Sequence, residues 1–412
     1  MTSFLSWLDY SERERKHMLD VISRFRDRET RDELGIGSVR DVFADIFFPG
    51  TSTIQTRARY FLFIPWMYLR LESKHSLSGN AAQLARSEET KLIYGLLKSG
   101  EKEGVIGSDA KEKLQRLPSN IYWHGLGIWG IRLFKGTQSQ YDHYLDRYHS
   151  ISQQNQYNDD GEPIDGRKRY NWHPDLPSIP KEFPESCDFQ LTHEEARYIQ
   201  EKINAQLHDT LLAFLAENGR ACESIDYPWE HPQFASFPDK IQTQLEHARN
   251  FSEAIYGASL LYNLMLAEAA RDDKLQKLYR EKMREWAVGL ISKRYDVLVT
   301  WFKQIDRFWE IVQTPSVRIP SMTKQFIMRW LTLVFAPGAA IRIVENADAR
   351  RLIRERERQL KRSLARLDNP RTLELWNGAA GDSRLDYRWG ITQTLLNDIL
   401  QGLGRNSHVA SK

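Results

Sequence analysis

The stretch that most constrains the fold runs from Gly35 to Leu71 and is the densest run of apolar and aromatic residues in the chain. It reads GIGSVRDVFADIFFPGTSTIQTRARYFLFIPWMYLRL, and Pro49-Gly50 divides it. Because proline cannot continue a helix and glycine accepts turn conformations, the sequence predicts two helices joined by a turn. In the first helix, after an N-cap at Ser38, apolar residues at helical spacing predict one buried face: Val39, Val42, Phe43, Ile46 and Phe47.

The second helix is predicted to begin at a hydroxyl cap among Thr51, Ser52 and Thr53, with Arg57 and Arg59 close to its start. Two interpretations fit this pattern. In the first, the two helices form the hub of an all-helical core. In the second, free N–H groups of the helix, the three hydroxyls and Arg57 bind an anion such as phosphate. Helix caps are far commoner than phosphate sites, which favours the first interpretation.

Length and composition predict a globular protein with more than one domain. The chain has 412 residues, of which 41% are hydrophobic and 27% are charged. The net charge of +3 does not point to nucleic acid by itself, so any basic patch must be local. The two cysteines, Cys187 and Cys222, are far apart and outside any CxxC pattern, which favours a reducing cytoplasm. The longest apolar runs are shorter than the ~20 residues of a membrane span, so no membrane association is expected.

The periodicity is helical nearly everywhere, so we predict a mainly α protein with two helical domains. The N-terminal domain is placed at residues 1–149 and the C-terminal domain at 191–412. Between them, residues 150–190 are predicted to form a Pro-rich linker or long loop, because Ser150 to Ser186 has polar and proline-rich composition without apolar periodicity. In the first domain, two helices followed by a short strand at Asn120–His124 are compatible with a winged-helix-like module, and equally with an irregular helical domain.

The C-terminal domain is predicted to contain a long antiparallel helical hairpin. Thr192 and Glu195 form a capping box at the first helix of this domain, which precedes the hairpin. A heptad pattern between Ile241 and Leu266 contains small residues that allow close approach of a partner helix. After a turn at Asp272-Asp273, the second arm of the hairpin is predicted to run to about Val312.

The common catalytic and cofactor motifs are absent or incomplete. Gly125, Gly127 and Gly130 match GxGxxG, but the chain lacks the alternating strands and helices that a dinucleotide-binding unit requires. No P-loop and no GxSxG are present. Histidines and acids gather without the spacing of metal ligands on a helix, which favours a surface loop: Asp142, His143, Asp146, His149, Asp159, Asp160 and His173. The sequence therefore predicts no catalytic, cofactor-binding or metal-binding residues.

The strongest local concentration of positive charge lies in the segment IRIVENADARRLIRERERQLKRSLARL. Its basic residues are predicted to face largely outward from one helix: Arg350, Arg351, Arg354, Arg358, Lys361 and Arg362. Each could contact a phosphate of DNA or RNA and release a counterion. Glu355 and Glu357 dilute the charge, and Glu–Arg pairs at helical spacing also occur in plain solvated helices. Both alternatives stay open from the sequence.

Four strings carry a resemblance to a protein family: SFLSWLDYSERER, TRDELGIGSVRDVFADIFFPGTSTIQTRARYFLFIPW, RLPSNIYWHGLGIWGI and LDYRW. Together they resemble an uncharacterised bacterial family whose members often lie in phage-defence gene islands. Those islands are of the Azaca type, in which a neighbouring gene encodes a helicase with a phospholipase-D-like nuclease domain. The resemblance implies an accessory component of a defence system. It supplies no catalytic motif.

Taken together, the sequence predicts a non-enzymatic accessory subunit that binds nucleic acid or acts as an adaptor. Its expected partners are other defence-system proteins, including the helicase with the phospholipase-D-like domain, and DNA or RNA. One alternative is a metal-dependent nuclease built from scattered carboxylates. Another is a scaffold that contacts only protein.

Overall fold

The computed structural model of the protein describes residues 32–73, 80–152, 171–313 and 317–405. For residues 148–152 it describes the backbone only. Helix, including 3-10 and π turns, accounts for 65% of the described residues. In these ranges there is no strand, and one isolated antiparallel bridge joins Arg132 to Trp172. The prediction of a mainly α protein is confirmed.

The α-helices, numbered in chain order, are α1 (Gly37–Phe47), α2 (Tyr60–Glu72), α3 (Ala81–Lys98), α4 (Pro118–Ile128), α5 (Gln138–Ser152), α6 (His193–Leu207), α7 (Leu211–Asn218), α8 (Asp239–Ala269), α9 (Asp273–Arg284), α10 (Tyr295–Lys303), α11 (Ile305–Val312), α12 (Ser321–Val334), α13 (Ala339–Arg342), α14 (Ala347–Lys361), α15 (Pro370–Leu373) and α16 (Trp389–Gly402). The predicted capping box of Thr192 and Glu195 begins α6, as expected. Asn80, Thr210, Asp272 and Asn346 cap α3, α7, α9 and α14.

The chain divides into two compact units that do not follow chain order. Unit 1 comprises the described parts of Met1–Phe43 and Thr243–Leu385, and unit 2 those of Ala44–Gln242 and Asp386–Lys412. The boundaries between the two units do not fall in the predicted linker at residues 150–190. Residues 153–170 of that stretch lie outside the described residues, so its role as a linker stays a prediction.

In unit 2, the part of the apolar and aromatic stretch that follows Phe43 forms the centre of the core. Phe47, Phe61 and Trp66 are fully buried, as predicted. The turn at Pro49-Gly50 also exists, with Gly50 at a φ of +83°, a conformation that glycine adopts without strain. A side chain at Gly50 would collide with the indole of Trp129, which donates a hydrogen bond of 2.9 Å from Nε1 to the carbonyl of Pro49.

Two details of the predicted helices are wrong. Ser38 is not the N-cap of α1, because the helix begins at Gly37 and the carboxylate of Asp32 accepts the N–H of Ile36 at 2.6 Å. Asn120–His124 is not a strand but the first half of α4, which begins at Pro118, a favoured residue at the first helical position. The strand that suggested a winged-helix-like module is therefore helical.

The described part of the Pro-rich stretch, residues 171–190, belongs to unit 2 and buries aromatic side chains there. Trp172 and Phe183 are buried. The ring of Trp172 stacks on Tyr68 at 5.7 Å between centroids, and the ring of Phe183 stacks on Phe63 at 5.6 Å. The carbonyl of Pro177 accepts a hydrogen bond of 2.7 Å from Trp66 Nε1. Isolated aromatic residues thus anchor this loop without the periodicity that would have revealed their burial.

Unit 2 also buries the carboxyl of Glu89, on α3. It accepts hydrogen bonds from the N–H and Oγ of Ser119, at 2.8 and 2.7 Å. Burial raises the pKa of Glu89 to about 7, and the hydrogen bonds from Ser119 oppose that rise. The core of unit 2 therefore contains a carboxyl group that is protonated in mildly acidic solution.

In unit 1, α8 forms the axis of the core, and its small residues admit large neighbours. The ring of Trp286 lies so close to Gly257 that a Cβ there would come within 2.3 Å of it. The indoles of Trp286 and Trp330 donate hydrogen bonds to the carbonyls of Glu253 and Ala254, at 2.8 and 2.9 Å. Here the close approach is made by a tryptophan ring at Gly257, which is not a position of the predicted heptad pattern.

The second arm of the predicted hairpin is not one continuous helix. After α9, residues Glu285–Ile291 form a π-helical turn, and Gln304 separates α10 from α11 with a non-helical backbone. The wide turn carries Trp286, the residue that fits against Gly257. Apolar periodicity predicted the buried face but not these breaks, because a π-turn shifts the register of a helix by only one residue.

Across the described ranges, no single helix combines the length and hydropathy needed to cross a bilayer. One bent pair, Ser321–Val334 with Ala339–Glu345, meets both criteria jointly, with an angle of 103° at the break.

The burial of Phe47 generates a stability prediction. Phe47→Ala should lower the free energy of unfolding by about 3–5 kcal/mol, because it leaves a cavity among packed rings. The ring of Phe47 faces those of Phe48 and Tyr387, at centroid distances of 5.8 and 6.2 Å. Urea unfolding measures the change. Leu375→Ala is the control, since Leu375 is 72% exposed and its loss should change stability by less than about 0.5 kcal/mol. A loss below about 1 kcal/mol for Phe47→Ala would contradict the anchoring role.

The carboxyl of Glu89 generates a prediction about pH. Its folded pKa of about 7 exceeds the ordinary value of 4.5, so its contribution to stability is complete below that value and is lost as pH rises through 7. Glu89→Gln keeps the shape without the titration. Relative to the wild type, the free energy of unfolding of this variant should rise by about 3 kcal/mol between pH 4.5 and pH 8. Urea unfolding at several pH values measures this difference, and a constant difference would refute the prediction.

Candidate functional site

The predicted hydroxyl cap does not begin a helix. Residues 51–59 form an irregular segment, and α2 starts only at Tyr60. Thr51 is buried, and its Oγ1 donates to the carbonyl of Phe48 at 2.7 Å. Ser52 belongs to a turn in which its N–H donates to the side chain of Gln55, and Thr53 is exposed. The three hydroxyls are therefore not arranged around a helix N-terminus.

Arg57 is paired with a buried carboxylate in unit 2. Its Nε and Nη2 donate to both oxygens of Asp398, with distances between 2.8 and 3.1 Å. The N–H of Ala58 donates to the same carboxylate at 2.9 Å. Burial raises the pKa of Asp398, and the hydrogen bonds and charge of Arg57 oppose that rise. The guanidinium of Arg57 is therefore engaged by an acid of the protein itself.

Arg59 is likewise held by acids. Its Nη1 lies 2.6 Å from Asp188 Oδ1, and its Nη2 lies 2.8 Å from Glu195 Oε1. Arg59 is buried, and Glu195 is the residue that completes the capping box of α6. The structure therefore brings Arg57 and Arg59 near the core with carboxylate partners. Phosphate binding by this segment stays a prediction.

The basic helix is present as α14, and four of its arginines line a surface groove in unit 1. The groove has a volume of about 730 Å³, and the C-terminal end of α8 forms its other side. We call it the arginine groove. It is lined by Met265, Glu268, Ala269, Ala347, Arg350, Arg351, Arg354, Glu355 and Arg358. Four guanidinium groups against two carboxylates give the lining an excess of positive charge.

Three arginines of the groove make ion pairs that are open to solvent. Arg351 Nη2 lies 2.5 Å from Asp348 Oδ1, and Arg354 Nε lies 4.0 Å from Asp368 Oδ1. Arg358 donates from Nη2 to Asp368 Oδ1 at 3.0 Å, and this pairing lowers the pKa of Asp368. Exposed pairs of this kind contribute only about 0–1 kcal/mol each. A phosphate could therefore replace these carboxylates at small cost.

The remaining basic residues of the helix differ in accessibility. Arg350 is half-buried and pairs with Glu268. Lys361 is buried between Glu33 and Glu357, and its Nζ donates to Tyr262 Oη at 3.0 Å. Arg362 lies just after α14 and is exposed. The prediction of an outward-facing basic surface therefore holds for Arg351, Arg354, Arg358 and Arg362, whereas Lys361 belongs to the core.

Groups of at least three His, Cys, Asp or Glu side chains that could hold a metal ion do not occur within the described ranges. Two of the acids that the sequence offered as metal ligands are engaged in hydrogen bonds. Asp142 Oδ1 is buried and accepts from Tyr68 Oη at 3.4 Å, and Asp146 Oδ1 accepts from the N–H of Ala81 at 2.7 Å. Asp159 and Asp160, and the side chain of His149, lie outside the described residues.

Sequence reasoning missed the acids that face the basic residues. Glu268 is 82 positions from Arg350, and Asp398 is 341 positions from Arg57. Only the ion pairs within α14 and those with Asp368 join residues close enough in sequence to be predicted from helical spacing or from a short loop. It also missed the groove itself, because the wall formed by Met265 and Ala269 reads as ordinary core sequence.

A comparison with protein families identifies the chain. The profile of the family of unknown function DUF6361 matches residues 2–402, so the chain belongs to this family. Neither the comparison with curated proteins nor the comparison with solved structures finds a match.

The pairing of Arg57 with Asp398 generates a prediction. Arg57→Gln should lower the free energy of unfolding by about 3 kcal/mol, because it leaves a carboxylate buried without its partner. The double variant Arg57→Gln with Asp398→Asn should recover much of that loss, since neither charge remains. Thermal melting of both variants measures the effect. Unchanged melting of Arg57→Gln together with lost binding of DNA or RNA would instead support the predicted phosphate site.

Proposed function

We propose that this member of the DUF6361 family is a non-enzymatic component of a bacterial anti-phage defence system and binds the phosphate backbone of DNA or RNA in the arginine groove. The observation that carries the proposal is the alignment of Arg350, Arg351, Arg354 and Arg358 along one groove of about 730 Å³. The defence context rests on the resemblance of the sequence to families found in such gene islands. The expected partner there is a helicase with a phospholipase-D-like nuclease domain.

The spacing of the arginines supports contact with several phosphates. Along a helix, the distance from Arg350 to Arg358 corresponds to about 12 Å. Successive phosphates of one strand advance about 3.4 Å along the duplex axis and also wind around it, so the groove is long enough to face roughly two or three of them. Guanidinium groups donate two parallel hydrogen bonds to a phosphate, which strengthens each contact. Backbone contacts of this kind carry no sequence information, so binding should be independent of sequence.

The adaptor alternative is supported by a different observation. Leu360 and Leu364, at the C-terminal end of α14, are 42% and 53% exposed. Exposed apolar side chains at the end of a charged helix suit contact with a partner protein. In that alternative, the arginines would pair with acidic residues of the partner.

The test compares two variants of equal net charge. The first replaces Arg351, Arg354 and Arg358 with glutamine, and the control replaces the exposed Arg197, Arg220 and Lys240 of unit 2. Fluorescence anisotropy with duplex DNA and with single-stranded RNA is measured over a series of salt concentrations. The slope of log K against log salt should decrease by up to about 2.7 in the groove variant, at about 0.9 for each lost contact in duplex DNA. The control and the thermal melts should stay unchanged.

Two outcomes contradict the proposal. If the wild type shows no salt-sensitive retention of DNA or RNA at low ionic strength, alone or with the products of neighbouring genes, nucleic-acid binding is rejected and the adaptor alternative is favoured. If Mg²⁺ causes cleavage of the bound nucleic acid, the alternative of a metal-dependent nuclease is favoured instead.

A further inference from the structure

A second concave site lies in unit 2 and has no part in the function proposed above. It is a pocket of about 500 Å³ between the C-terminal end of α4, the loop that follows it, and α6. The isolated bridge between Arg132 and Trp172 fixes one wall, with hydrogen bonds of 2.8 Å from His173 N to Ile131 O and from Leu133 N to Asn171 O. The volume lies within the range of ligand pockets in proteins, roughly 300–1,000 Å³.

The polar lining of this pocket is basic. Arg132, Lys135 and Lys202 line it together with His124 and His173, and no carboxylate is among the lining residues. Within the described ranges, Arg132 and Lys202 have no carboxylate within ion-pair distance. Asp175 lies 3.9 Å from His173, and its side chain is largely exposed. This arrangement differs from the arginine groove, where every lining arginine has an acidic partner.

The hydrogen bonds of the basic residues leave their charge uncompensated. Lys202 Nζ lies 2.8 Å from His173 Nε2, so the ammonium donates a hydrogen bond to a neutral partner. Burial and the charge of Lys202 lower the pKa of His173, which favours the neutral imidazole. Arg132 donates to the carbonyls of Trp123 and Gly136, both at 3.2 Å, and lies over the ring of Trp123. These neutral partners hold the guanidinium in place without neutralising it.

The structure explains why glycines occupy two positions of the GxGxxG match. A Cβ at Gly127 would lie 2.4 Å from Arg132 Nη2, so only glycine lets the guanidinium fold back over the end of α4. Gly130 has a φ of +69° and starts the loop that carries Arg132 and Lys135. The match is therefore not a dinucleotide fingerprint. It allows an arginine to approach the backbone at one edge of a basic pocket.

The rest of the lining is apolar. Ile128, Leu133 and Phe134 line the pocket beside the basic residues, and Leu133 is 42% exposed. An aromatic ring and two branched side chains suit the flat, apolar body of a base, while Arg132, Lys135 and Lys202 suit a doubly charged phosphate. We propose that this pocket binds a nucleoside monophosphate, with the phosphate on Lys135, Lys202 and Arg132 and the base against Phe134.

The test uses the full chain and the four ribonucleoside 5′-monophosphates, each titrated by calorimetry. The variant replaces Lys135 and Lys202 with glutamine and leaves Arg132 intact, because Arg132 also holds the loop. The control replaces the exposed Lys181 and Lys240 of the same unit with glutamine. At least one nucleotide should bind the wild type and the control, and the pocket variant should bind it about tenfold or more weakly, because two charge-assisted contacts are lost. Thermal melting checks that all three proteins are folded.

Further titrations separate the nucleotide from its parts. Inorganic phosphate and the unphosphorylated nucleoside should each bind more weakly than the nucleotide. Phosphate bound as tightly as the nucleotide would overturn the assignment of the base, and nucleoside bound as tightly would overturn that of the phosphate. Dissociation constants above about 1 mM for all four nucleotides, or equal affinity in the pocket variant and the wild type, would overturn the site. The groove variant lacking Arg351, Arg354 and Arg358 should bind the nucleotide normally, so the two proposals fail independently.

Discussion

The buried carboxylate of Asp398 is the interaction on which unit 2 depends most. It lies on α16, near the C-terminal end of the described chain, and it accepts hydrogen bonds from Arg57 and from the N–H of Ala58. An unpaired carboxylate in this position would be expensive, since breaking a buried ion pair costs about 3–5 kcal/mol. The segment 51–59 must therefore stay with α16, which explains why the last helix belongs to the same compact unit as α2.

Unit 1 is closed by a similar set of contacts. Glu33 pairs with Lys361 and with Arg366, at 2.9 Å from Arg366 Nη1 to Glu33 Oε1. Arg356 donates from Nε to the carbonyl of Leu34 at 2.8 Å. These contacts fix residues 33–35 on α14, more than 300 positions along the chain. In both units, a buried charged group requires a partner from a distant segment, and the discontinuous division of the chain follows from that requirement.

The sequence was informative where the physics is local. The helical class, the turn at Pro49-Gly50, the capping box of Thr192 with Glu195, and the burial of Phe43 and Phe47 all follow from contacts within a few residues. It was uninformative where the partner is distant. The start of α2 was misplaced because the hydroxyls at 51–53 resemble a cap, while the actual geometry of 51–59 follows from Asp398 and Tyr122. Likewise, the sequence does not distinguish Arg57, Arg59 and Lys361 from the exposed arginines of α14. The difference is that acids from distant parts of the chain pair with them.

The two classes of basic residue also explain why the arginine groove is the better functional candidate. To release Arg59, the protein would have to leave the carboxylate of Glu195 buried without its charged partner, at a cost of about 3–5 kcal/mol. To release Arg351 or Arg358, it only exposes Asp348 or Asp368 to water, which costs about 0–1 kcal/mol. A phosphate must recover this cost before it contributes any affinity. Of the two paired sets, positive charge is therefore available for binding where the acidic partners are already solvated, and α14 meets that condition whereas the segment 51–59 does not.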